Sequence, residues 1–178
     1  MISFLSRSSP KTSLLSRVMA MAVIGAALGV FGVFGASISS ARAEGAFDGF
    51  EGSWSGGGTI QIADAGTERI RCRGTYSTSG GGSNLRQSLR CASDSYRFDL
   101  STDIRSAGGN VSGYWSETSR GINGTVDGRV NSGNIAARVE TNGYVATFNV
   151  ATRGNKQTVA IASPGPIRAV NIALTRAN

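Results

Sequence analysis

Histidine is absent from the 178-residue chain. Its absence excludes Ser-His-Asp and Cys-His catalysis and every His-ligated metal site. Cysteine occurs only twice, at Cys72 and Cys91. Beyond residue 43 there is no Ser-x-x-Lys and no Gly-x-Ser-x-Gly, the usual settings of an activated serine. Lysine is almost missing there: 13 of the 14 basic residues are Arg, and Lys156 is the exception. Aromatic residues are sparse, ten in those 135 positions. No apolar period of helical spacing is found in this region, and its 21 glycines disfavour helices. These absences predict a protein that is not an enzyme and holds neither a metal nor a cofactor.

The first 43 residues stand apart. Arg7, Lys11 and Arg17 form a basic start, residues 18–38 carry no charge, and Ala41-Arg42-Ala43 makes an A-x-A cleavage site. This three-part pattern predicts a signal peptide over 1–43, removed before Glu44. The product is then periplasmic or secreted. Twenty-one uncharged residues would also suffice for a retained anchor. The cleavage site and the Gly and Ala content favour removal, so no stable membrane span is expected after cleavage. Four of the 18 basic residues and none of the 11 acidic ones lie in this segment. The net charge of +7 therefore falls to +3 over 44–178, which is not the footprint of a nucleic-acid binder.

Residues 44–178 read as one domain. Short runs of Val, Ile, Thr, Tyr and Phe alternate with polar residues between Gly, Asn, Ser and Asp clusters. That pattern predicts antiparallel strands joined by tight turns. Counting from a first strand at Thr59–Ala63, nine or ten strands follow at near-regular spacing, with turns expected near Gly108-Gly109, Asn123-Gly124, Asn142-Gly143 and Gly154-Asn155. The fold class is all-β, a single antiparallel meander closing into a small β-barrel, with a β-sandwich as the alternative.

One hairpin has a predictable register. Ile70, Cys72, Gly74 and Tyr76 share one face of a strand, and Leu85, Gln87, Leu89 and Cys91 share one face of the next. A turn centred on Gly81-Gly82 sets Cys72 opposite Cys91. Opposed residues of a non-hydrogen-bonded pair lie about 4.5 Å apart at Cα, within disulfide range. In an oxidising compartment the two cysteines read as a disulfide across the hairpin. The same register places Arg73 opposite Arg90, with Arg71 and Arg86 on the same outer face. Like charges opposed in a sheet are unfavourable, and a bound anion would relieve them. The face is thus a candidate contact for an anionic envelope component. The alternative is a solvated wall partnered by Glu68, Asp94 or Asp99.

Gly52-Ser53-Trp54 resembles the G-x-W that opens calycin barrels: lipocalins, fatty-acid-binding proteins and avidins. Gly74-Thr75-Tyr76 is similar to the G-T-Y of avidins. The chain also resembles small exported proteins of alphaproteobacteria. The calycin resemblance implies that Trp54 closes one barrel end and that Arg176, from the last strand, packs over it. Only Trp54 and Trp115 are present, so the aromatic walls of a biotin site are missing.

Alternation places Trp54, Tyr76, Tyr96, Phe98, Trp115, Tyr144 and Phe148 as candidates for a lumen that takes a small apolar or amphipathic ligand. A second candidate is Tyr114-Trp115 beside Glu117, an aromatic pair and a carboxylate. A glycosidase would need a second carboxylate at a defined distance, for which Asp127 and Glu140 are available. The main expectation is a non-enzymatic exported ligand-binding barrel. The alternative is an envelope interaction protein, structural or inhibitory, using the Arg face. An outer-membrane barrel ranks lower, because such barrels carry aromatic girdles and aromatics are few.

Overall fold

The structure, a computed structural model, describes residues 44–141 and 143–177, and the expected signal peptide lies outside them. Ten strands follow one another: β1 (Gly52–Ile62), β2 (Gly66–Ser79), β3 (Asn84–Ala92), β4 (Arg97–Ala107), β5 (Asn110–Glu117), β6 (Ile122–Asn131), β7 (Asn134–Thr141), β8 (Tyr144–Arg153), β9 (Lys156–Ala162) and β10 (Ile167–Arg176). Each pairs antiparallel with the next. β1 also pairs with β10, so the sheet closes on itself and the sandwich alternative is discarded.

Tight turns make the meander possible. Gly108 and Gly109 join the paired residues Ala107 and Asn110 with φ of 58° and 80°. Two successive positive φ values match the primed turns whose twist suits a hairpin, and glycine adopts them without strain. The stapled hairpin has the expected register: Cys72 faces Cys91, Gly74 faces Leu89 and Arg73 faces Arg90. The two cysteines are disulfide-bonded, with Cα atoms 4.1 Å apart.

Two expectations are corrected. The first strand starts at Gly52, not Thr59, so Trp54 lies within it rather than before it. A Cβ on Gly56 or Gly58 would fall on the carbonyl oxygen of Ala173 or Asn171 in β10. Glycines that resemble a break thus permit the close approach that seals the barrel. Asn123-Gly124 is not a turn, because both residues lie inside β6. A Cβ on Gly124 would come within 2.8 Å of Trp115 Nε1, and that indole donates to the carbonyl of Glu140 at 3.2 Å. The glycine leaves room for the ring.

Inward residues are mostly apolar around the ring, but they do not fill it evenly. Along β1–β3 and β10, Trp54, Ile60, Ile70, Leu89 and Leu174 are almost fully sealed, and the disulfide packs among them. Along β4–β8 and the adjoining ends of β9 and β10, Leu100, Trp115, Val139, Phe148, Ile161 and Ile167 face inward yet are only half-buried. Eight strands enclose about as much space as their side chains can fill, and ten enclose more.

Candidate functional site

The excess space is a cavity of about 480 Å³. Its wall comes mainly from β4–β8, with Phe98, Leu100, Ile104, Trp115, Val126 and Phe148 prominent. This volume is in the range of small-molecule pockets. Of the seven aromatics expected to line a lumen, six do: Tyr76, Tyr96, Phe98, Trp115, Tyr144 and Phe148. Trp54 does not border the cavity and is 1 % exposed.

Trp54 belongs to the closed end. Its Nε1 donates to the Phe50 carbonyl at 2.9 Å, and its ring meets Tyr76 edge-on at 6.2 Å. The Arg176 guanidinium lies 4.8 Å from the Trp54 ring centroid, in cation–π range. Arg176 also donates to the carbonyls of Gly49 and Gly154. The segment before β1 is drawn across this end, with Phe47 N donating to the Gly82 carbonyl at 2.9 Å and both Phe47 and Phe50 fully buried. Beside them lies a polar chain. Gln87 Nε2 donates to Tyr76 Oη at 3.3 Å, Tyr76 Oη donates to Gln157 Oε1 at 2.7 Å, and Gln157 Nε2 donates to Thr152 Oγ1 at 2.9 Å. Burial pushes the Tyr76 hydroxyl well above its ordinary range, so it remains a neutral donor. Neither Gln87 nor Gln157 stands out in the sequence as a floor residue. The one available signal is their inward parity among apolar neighbours.

The opposite end is formed by the turns after β1, β3, β5, β7 and β9. The cavity reaches its rim at Tyr96, Arg120, Ile122, Tyr144 and Pro166, all of them exposed except the half-buried Tyr96. Two charged side chains line the cavity, Glu117 and Arg120. Burial pushes the Glu117 carboxyl up. Hydrogen bonds from Asp99 and Ser119, with the Arg120 charge, outweigh burial and leave it below its ordinary range. It is therefore ionised at neutral pH.

Strand alternation dismantles the expected sugar platform. Trp115 points inward, whereas Tyr114 stands on the outer wall at 72 % exposure. Asp127 and Glu140 are exposed and do not line the cavity, so neither joins Glu117 there. The arginine face is half partnered, by Asp99 as expected and by Asp103, which was not expected. Arg90 pairs with Asp99 and Arg86 with Asp103, each at 2.8 Å, on the neighbouring strand β4. Glu68 instead accepts from Ser95, which holds its carboxyl below the ordinary range. Arg71 and Arg73 have no ion pair among the described residues. Arg73 and Arg90 border a second depression of about 540 Å³ on the outer wall, with Ser55, Thr75 and Ser88 beside them.

The chain matches no family model and no curated protein.

Proposed function

We propose that the mature protein is an exported, non-enzymatic carrier or receptor that binds a small apolar or amphipathic molecule inside the barrel. The observation that carries this reading is the 480 Å³ apolar cavity, which runs from a sealed floor to an exposed rim. A lumen of this kind offers hydrophobic transfer energy to any chain or ring that displaces its water. The polarity of the wall agrees with a water-borne barrel. Arg71, Arg73, Arg86, Arg90, Asp99 and Asp103 sit on strands and point outward, whereas a membrane-spanning barrel needs an apolar outer band. The disulfide favours an oxidising compartment. The sealed Trp54–Arg176 end is also the arrangement that the calycin resemblance implies.

The test is an apolar fluorescent probe, N-phenyl-1-naphthylamine, titrated into the purified mature protein. Ala146 is an inward lining residue on β8, and Ala146→Trp fills the cavity from within. Saturable probe binding by the native chain, and at least tenfold weaker binding by Ala146→Trp with an unchanged far-ultraviolet spectrum, is the expected result. Equal binding by both chains would place the probe elsewhere and end this reading.

A second reading has its own observation, the outer depression bordered by Arg73 and Arg90. It makes this wall a contact for an anionic component of the envelope. Reversing both arginines to Glu is expected to release the protein from the envelope fraction. Unchanged fractionation counts against it.

A further inference from the structure

We propose that Glu117 and Arg120 form a head-group site at the mouth of the lumen, selective for an uncharged polar group, a hydroxyl or a primary amide. The inference rests on the lumen reading and deepens it: the ligand is an amphiphile with its tail against Leu100 and Phe148 and its head at the rim.

Three observations support this. The first is an orphaned acceptor. The Glu117 residue is 6 % exposed. Its Oε1 accepts from the backbone N–H of Asp99 at 2.9 Å and of Ser119 at 3.0 Å. Its Oε2 is buried and accepts no hydrogen bond. The nearest cation is Arg120 Nη1 at 3.5 Å, an ion-pair contact too long to count as a good hydrogen bond. Buried acceptors without a donor are uncommon in folded proteins.

The second is a set of unused donors. Arg120 Nη1 donates to the Arg97 carbonyl at 3.3 Å, and the guanidinium lies 4.2 Å from the Tyr96 ring centroid. Nε and Nη2 donate to no group among the described residues. The side chain is 36 % exposed, and its polar contacts, to the Arg97 carbonyl at 3.3 Å and to Glu117 at 3.5 Å, are long, so a head group entering at the rim meets a guanidinium with donors to spare beside Oε2.

The third is charge balance. The two groups carry opposite charges side by side in an otherwise uncharged, mainly apolar lining. An anionic head gains Arg120 but meets Glu117, and a cationic head meets the reverse. A hydroxyl or amide donates to Oε2 and accepts from Arg120, and it brings no charge into a desolvated mouth.

The experiment displaces N-phenyl-1-naphthylamine with four ten-carbon amphiphiles below their micelle concentrations: decanol, decanamide, decanoate and decyltrimethylammonium. The native protein is expected to bind decanol and decanamide about tenfold more tightly than either charged compound, the scale of one charge-assisted hydrogen bond. Glu117→Gln keeps an acceptor for the two backbone N–H groups but puts a donor at the Oε2 position and leaves the mouth cationic. Decanoate should then rank first. Arg120→Gln leaves the mouth anionic and should put decyltrimethylammonium first. An order in the native protein that is flat or led by decanoate, or an order unchanged in both variants, would overturn the head-group site while the lumen reading stands. Probe binding insensitive to Ala146→Trp would remove the lumen reading and this inference together.

Discussion

Ile60 and Leu100 are both apolar, both point into the barrel and both sit within strands, yet Ile60 is fully sealed and Leu100 borders open space. The difference lies in what stands beside them. Beside Ile60, Val170 of β10 is its register partner, and Ile70 of β2 and Ile172 of β10 flank Gly58 two residues back, all three side chains buried. Around Leu100, the β4–β8 arc carries side chains of similar size, but nothing crosses the ring to meet them. The comparison teaches that one ring of hydrogen bonds supports two kinds of interior. A packed arc supplies stability, and a hollow arc gives up some of it for a space that another molecule can enter.

The sharpest way to break that comparison is to truncate an aromatic in each arc. Trp54→Ala removes an indole together with its contacts to Phe50 and Arg176, and should cost about 3–5 kcal/mol in chemical denaturation. Phe148→Ala enlarges a cavity that already exists and should cost less, about 2–3 kcal/mol, since its side chain is only partly buried. Equal losses would mean that the two arcs do not differ. Next in size is the staple. Replacing both Cys72 and Cys91 with Ser frees a hairpin loop from its closure and should cost about 3 kcal/mol, read as a drop in Tm. The smallest effect is electrostatic and belongs to the rim of the hollow arc. Glu117 has its carboxyl held below the ordinary value of 4.5, so its ionised form stabilises the fold above that pH. The stability gap between the native chain and Glu117→Gln should be full at neutral pH and close as pH falls below 4.5. A gap that widens on acidification would reverse the assignment.

Much of the architecture was legible because strand alternation is a local property. Ile70 through Tyr76 and Leu85 through Cys91 declare their inward faces by parity, and the glycines between them set the register that joins the cysteines. The same parity found six of the seven lumen aromatics. It failed where a glycine served a neighbour rather than a turn. Gly56 and Gly58 make room for the backbone of β10, which lies far away in sequence, and Gly124 makes room for the Trp115 ring and the Glu140 carbonyl of the strands on either side. It failed again for the mouth. Glu117 and Arg120 are three residues apart, but the contacts that define them come from Tyr96, Arg97 and Asp99, on and beside β4.

By itself, then, the sequence determined the all-strand character, the two faces of the stapled hairpin, its disulfide and the arginine row on its outer wall. Each follows from a period of two and a turn, which nearby residues dictate. Only the tertiary structure decided that ten strands close with β1 against β10, that Trp54 seals an end instead of lining the space, and that the space left over lies along β4–β8. Ring closure and residual volume depend on how many strands enclose how much side chain, a sum over the whole chain that no local pattern contains.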